Sequence, residues 1–194
     1  MTREIKTDVV IVGGGVGGVA AAIAVAESGL RCVVLEPSAW VGGQLTNQAV
    51  PPDENRWVES HGATRSYARF RERVRQHYRD HESLTPAALS APHLNPGGGW
   101  VSRLCCSPRI AHAVLTHMLR EASGNGRIEA FTRVHIESVD RDGDTVAAVQ
   151  LRDDDGQALI VTGSVFLEAS ETGDLLELGG IEHRLGAEAA QTHD

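Results

Sequence analysis

The sequence has no long hydrophobic run, no excess of positive charge and no spaced set of cysteines. Its longest apolar stretch, residues 16–25, is rich in glycine and alanine and too short to span a bilayer, which takes about 20 residues. A membrane partner is therefore not expected. The net charge of −8 argues against nucleic acid as a partner, because neutralising phosphates requires a basic surface. The start, Met-Thr-Arg-Glu-Ile-Lys-Thr, enters an apolar strand without the apolar core and cleavage site of a secretory signal, so a cytoplasmic location is the default expectation. Three cysteines, an odd number, make no disulfide framework. Cys32 reads as plain core. Cys105 and Cys106 are adjacent, which suits neither a C-x-x-C redox pair nor a zinc or iron-sulfur site, and no metal is expected. For that pair, unreactive packing stands against a vicinal disulfide or a thiol attached to a cofactor.

What is present begins near the amino terminus. Residues 8–12 form a short apolar strand that runs into Gly13-Gly14-Gly15-Val16-Gly17-Gly18, then an alanine-rich helix over residues 20–26, a glycine stop at Gly29, and a second strand over residues 32–35 ending at Glu36. This is a dinucleotide-binding pattern with its flanks intact. Gly13 permits the turn out of the strand, Gly15 removes a side chain where a pyrophosphate must approach the backbone, and Gly18 lets the helix pack close to the sheet. The phosphates then face unpaired amides at the positive end of the helix. Glu36, 18 residues after Gly18, is placed to accept hydrogen bonds from both ribose hydroxyls and would repel a 2′-phosphate, which disfavours NADP.

A plain Rossmann domain would soon reach a third strand. Here about 70 residues intervene, and an insertion over residues 44–106 is expected to form a functional subdomain. It holds six arginines (65, 69, 71, 73, 75, 79) with Tyr67, Phe70, Val74 and Tyr78 at helical spacing among them. The pattern predicts an amphipathic helix whose arginine face is solvated, with an anion-steering or partner-binding surface as the alternative. Pro108 then opens a helix to about Ala122, residues 128–131 read as a third parallel strand, and three alternating segments follow at 133–140, 145–152 and 157–163. Asp142-Gly143 and Asp155-Gly156 between them are hairpin signals, so residues 133–163 are expected to form an antiparallel meander. A last apolar strand over residues 165–167 runs into Glu168-Ala169-Ser170-Glu171-Thr172-Gly173-Asp174.

This order of elements resembles the FAD-dependent oxidoreductases with the glutathione-reductase type of flavin domain. The opening strand and glycine run, Glu36, the Gly42-Gly43 pair, the meander and the strand before Thr172-Gly173-Asp174 all carry the likeness. Residues 100–108 and 170–187 are similar to a subgroup compared with the flavin subunit of heterodisulfide reductase. The resemblance implies an α/β fold, a Rossmann-like parallel sheet with an FAD-type antiparallel meander and an inserted helical and loop subdomain, with residues 1–194 as a single FAD-binding domain. It implies FAD as cofactor, with Gly13, Gly15 and Gly18 at the pyrophosphate, Glu36 at the adenosine ribose, Gly42 and Gly43 where bare backbone approaches the cofactor, and backbone atoms of Val134 at the adenine. Gln44 and Thr46 are placed to donate to the cofactor, against the alternative of ordinary loop capping.

The resemblance departs in three places, one of them being that no four-cysteine pattern is present from which an iron-sulfur cluster of the heterodisulfide-reductase kind could be built. Family members commonly end the late strand in Ala-Thr-Gly, and here Ala169-Ser170-Glu171-Thr172-Gly173 leaves the cofactor-facing turn open by two residues. Such flavoproteins also need a longer chain, and the polar residues 186–194 close the sequence with no segment to cover the flavin. An amino-terminal portion is therefore expected, acting on a small-molecule substrate by hydride or electron transfer through bound flavin. His61, His93, Arg103, Cys105 and Cys106 lie in the insertion that would border the flavin, without any one of them standing out as catalytic. Two rival readings are a non-catalytic nucleotide-binding fragment and an NAD-dependent dehydrogenase. The second is disfavoured by Gly42-Gly43 and the meander. A homo-oligomer is left open.

Overall fold

The structure, a computed structural model, describes residues 2–186. The tail expected past Gly186 and the end of the 170–187 likeness lie outside the described residues. Among the described residues, eight strands and six helices follow in chain order: β1 (Arg3–Lys6), β2 (Val9–Val12), α1 (Val16–Glu27), β3 (Cys32–Glu36), α2 (Gln44–Asn47), α3 (Arg65–His81), α4 (Pro86–Ser90), α5 (Pro108–Ser123), β4 (Ile128–Thr132), β5 (Val134–Asp142), β6 (Thr145–Asp153), β7 (Ala158–Thr162), β8 (Val165–Glu168) and α6 (Asp174–Leu178).

Two four-stranded sheets organise the molecule. The parallel sheet has the order β4-β3-β2-β8, so β2 is flanked by the strand that follows it and by the last one, which makes its carboxyl end a topological switch point where ligands bind in open α/β sheets. The second sheet, β1-β7-β6-β5, is antiparallel through its three meander strands. The α/β fold with a Rossmann-like sheet is as the sequence implies.

Alternation explains the layering. Val9 and Ile11 of β2 with Cys32 and Val34 of β3 face a helical core that also holds Val19 and Ile23 of α1, Phe70 and Val74 of α3, and Leu115 of α5. Val10, Val12, Val33 and Leu35 face the opposite way, against Val149, Leu151 and Val161 of the meander. With both faces covered, β2 and β3 are buried at every residue, which is why they read as unbroken apolar runs. Arg133, at φ +58°, turns the chain between β4 and β5 and so moves it from one sheet to the other in a single residue.

Two elements differ from expectation. β1 pairs in parallel with β7, so a strand precedes the one at Val9 and the meander sheet gains a fourth member. Its sequence, Arg-Glu-Ile-Lys, offers no apolar pattern because it is a largely exposed edge. The arginine face of α3 is the second. Arg71 and Arg75 are each only 3% exposed, and they meet Glu54 and Glu59 from the preceding loop. The adjacent stripe packs as expected, with Phe70 and Val74 buried in the core beneath α5.

Candidate functional site

The carboxyl ends of the parallel strands converge on the glycine loop. Gly13 N donates to Leu35 O at 2.8 Å, Ala169 N donates to Val12 O at 2.7 Å, and Gly42 N donates to Gly14 O at 2.7 Å, tying the turns after β2, β3 and β8 together. Gly13 holds φ +101°, and a Cβ there would run into the carbonyl of Ala169 and the amide of Ser170. A Cβ on Gly18 would collide with Gly13 O, so the helix can pack against the strand only without one.

Gly15 is different. It caps α1 at φ −60° and ψ −178°, backbone that any residue adopts, and the nearest atom to a Cβ there would be Glu171 Oε1 at 3.5 Å. No protein atom requires glycine at this position. Its bare face opens on a cavity of about 190 Å³ whose walls include Gly13, Glu36, Gly43, Ser170 and Glu171.

Glu36 is 6% exposed, and its two oxygens accept from different amides, Oε2 from Gly14 N at 2.8 Å and Oε1 from Ser38 N at 2.9 Å. A carboxylate has about four acceptor positions, so the two that remain suit a pair of hydroxyls. The cavity continues in both directions. Through Gly13, Pro37, Ser170 and Asp174 it adjoins a space of about 300 Å³ lined by Leu35, Val134 and His135. Through Glu171 it adjoins one of about 500 Å³ lined by Gly42, Gln44, Pro52, Asp53 and Tyr67. The result is an elongated cleft crossing the glycine loop, with bare backbone in the middle and a larger chamber at one end. That shape and donor set fit a dinucleotide. Among the described residues that line these three spaces there is no lysine or arginine, leaving amides and the α1 dipole to meet an anion.

The family model for FAD dependent oxidoreductases matches residues 8–194. The chain belongs to the FAD dependent oxidoreductase family. Its cofactor is FAD. The chain is similar to the FAD-dependent monooxygenase ntnJ from Nectria sp., at 35% identity over 63 residues, which is 32% of this chain and 15% of the relative. Among solved structures, a flavoprotein/dehydrogenase from Cytophaga hutchinsonii matches 94% of this chain and 44% of its own with a TM-score of 0.60 at 15% identity. THI4 from Thermovibrio ammonificans matches 91% of this chain and 64% of its own, with a TM-score of 0.54 at 17% identity. The chain thus spans less than two thirds of each of these relatives. At such identities the structural likeness speaks for the fold.

The residues expected at the cofactor fall into three groups. Gly13, Gly15, Glu36, Gly42, Gly43, Gln44 and Val134 all line the cleft, while Gly18 shapes it from behind. Thr46 is 3% exposed and its hydroxyl donates to Val41 O at 3.0 Å, so it is engaged in closing its own loop. At the late strand, Ala169, Ser170, Glu171 and Thr172 all line the central space. Ala169 and Ser170 touch the glycine loop, whereas Gly173 caps α6 and Thr172 bonds Asp174.

His61, His93, Arg103, Cys105 and Cys106 do not line the three spaces. His61 stacks on Trp57, and His93 contacts Glu59 at 3.1 Å. All three cysteines are free thiols, and no vicinal disulfide is formed. Burial pushes the Cys106 thiol up to about 11, with neighbouring Cys105 adding to it, and burial alone pushes Cys32 up to about 11. Both are protonated at neutral pH, which suits unreactive packing. Sequence reasoning missed Tyr67, Asp53 and Glu171, which do line the cleft. Nothing local marks them, since Asp53 and Glu171 reach it from turns and Tyr67 from the first turn of α3, and where these come to rest depends on distant partners. Among the described residues no group of three or more His, Cys, Asp or Glu could hold a metal ion, and no helix is long and apolar enough to cross a membrane.

Proposed function

We propose that the chain binds FAD in an extended form along this cleft and serves an oxidoreductase that transfers hydride or electrons between a small-molecule substrate and the flavin. The observation that carries the reading is Gly15, bare where no protein atom forbids a side chain, beside a Glu36 carboxylate with two acceptor positions left. Bound flavin would supply the redox chemistry. The chain's own residues bind and orient. Amides from Gly15 onward, at the α1 terminus, face the phosphates, Glu36 accepts from the ribose hydroxyls, and backbone at Val134 borders the adenine. Gly42 and Gly43 let the chain approach the cofactor closely, and the Gln44 amide reaches the larger chamber. There Tyr67 stays un-ionised, because burial and then the adjoining Glu54 raise its phenol well above the ordinary value. Residues 100–108 and 170–187 support the finer placement near the flavin subunit of heterodisulfide reductase.

The visible spectrum of the purified chain before and after dithionite tests this. Flavin bands that bleach on reduction are expected. A colourless chain that still binds ADP would leave only a nucleotide-binding half-site, and fluorescence of bound NADH would favour a nicotinamide enzyme. A second test targets the ribose. Glu36→Gln keeps one acceptor oxygen and sets its NH2 against either the Gly14 or the Ser38 amide, so ADP affinity is expected to fall by about 1–3 kcal/mol. Unchanged affinity by calorimetry would place the ribose elsewhere.

A further inference from the structure

Glu171 stands where two spaces of the cleft adjoin. It belongs to both the central space beside Gly15 and the larger chamber beyond Gly43. A Cβ on Gly43 would lie 3.1 Å from the Gly15 Cα and would collide with Glu171 Oε1, so the two glycines and the carboxylate share one small gap. A ligand that runs from the Glu36 end to the Tyr67 end passes beside it, since Glu171 is the residue that lines both spaces. The helix behind the gap presents its positive end and unpaired amides, the groups that favour an anion. Gly15 forms the amino-terminal cap of α1.

We infer that Glu171 is a built-in competitor for the diphosphate, an anionic side chain held where the cofactor's phosphates cross, so that its charge sets how tightly a phosphate-bearing nucleotide binds. The inference rests on the cofactor path proposed above and concerns its affinity. Charge makes the competition direct. With no lysine or arginine among the described residues that line the cleft, the phosphates and the carboxylate depend on the same amides and the same dipole. Two anions a few ångströms apart repel, and at a half-open site that repulsion is attenuated by water without vanishing. Glu171 lies between Ser170, whose hydroxyl accepts from Gly173 N at 2.9 Å and Asp174 N at 3.0 Å, and Thr172, which bonds Asp174. The turn is held by its neighbours, so the Glu171 side chain is free to swing out when the diphosphate enters.

The experiment is a calorimetric titration of the full chain and its E171Q and E171A variants with ADP and, separately, with adenosine. E171Q keeps the side chain's size and removes its charge, and is expected to tighten ADP binding about fivefold or more. E171A also clears the gap and is expected to bind ADP at least as well as E171Q. Adenosine carries no phosphate and should bind all three proteins alike. ADP binding to E171Q that is unchanged or weaker than to the unaltered chain overturns the inference while leaving the cofactor path intact. An equal gain for ADP and adenosine also overturns it, since the effect would then not act on the phosphates. If none of the three proteins binds ADP, the path itself is wrong and the inference falls with it.

Discussion

A Gly15→Val chain is expected to fold and to lose its nucleotide. The backbone at Gly15 is extended, and an added Cβ would meet nothing closer than 3.5 Å, so the change costs the fold little beyond a weaker helix cap of about 1 kcal/mol or less. The valine methyls, however, extend into the gap facing Gly43, where bare backbone must meet the diphosphate. ADP affinity should drop by about 100-fold or more, equivalent to roughly 2.7 kcal/mol, while the melting temperature stays near that of the unaltered chain. Gly18→Ala supplies the contrast. Its Cβ would collide with Gly13 O between α1 and β2, so the loss should appear as instability of about 1–3 kcal/mol with no preference for the nucleotide site. A folded Gly15→Val chain with unchanged ADP affinity would remove the phosphate assignment. Loss of fold in that variant would instead mean that Gly15 serves packing.

The contrast between these two glycines shows what the sequence could and could not convey. β2, α1 and β3 were legible because double-sided burial writes an unbroken apolar run, and because the glycine spacing between them has few other uses. The meander was legible from its Asp-Gly turns, which need positive φ at Gly143 and Gly156. β1 was not, since an exposed edge strand carries no such pattern. At the site, Glu36 could be found because it closes a strand at a fixed distance from the glycines. Glu171 and Tyr67 could not, because their positions depend on where the turn after β8 and the helix α3 come to rest. Candidates chosen by chemical type within the insertion, such as His61 and Cys106, belong to surfaces or packing instead.

The same limit explains why Arg71 and Arg75 leave the otherwise solvated arginine face of α3, and there the structure yields a large expected effect. Arg71 donates from Nε to Glu54 at 2.6 Å and from Nη2 to Glu59 at 2.7 Å, Arg75 donates to Glu59 at 2.6 Å, and the Tyr67 hydroxyl donates to Glu54 at 2.7 Å. The side chains of Arg71 and Glu54 are 4% and 2% exposed. Removing one partner from such a cluster leaves buried charge without compensation, so Arg71→Met is expected to cost about 3–5 kcal/mol in urea denaturation. Arg73→Met, which breaks the more open pair with Glu121, should cost about 1 kcal/mol or less. The pH dependence has a definite sign. Hydrogen bonds from Arg71 and then Arg75 hold the Glu59 carboxyl far below the ordinary carboxylate range. Its contribution is therefore complete above about pH 5 and is lost as the pH falls, because the unfolded chain takes up the proton first. Tyr67 acts oppositely: its raised phenol contributes below about pH 10, and that contribution is lost in stronger alkali. Arg71→Met should flatten the acid limb and, because Tyr67 lines the larger chamber, weaken retention of the flavin end more than binding of ADP. An Arg71→Met chain as stable as the unaltered one would show that the cluster is held together by its surroundings and contributes no net stability of its own.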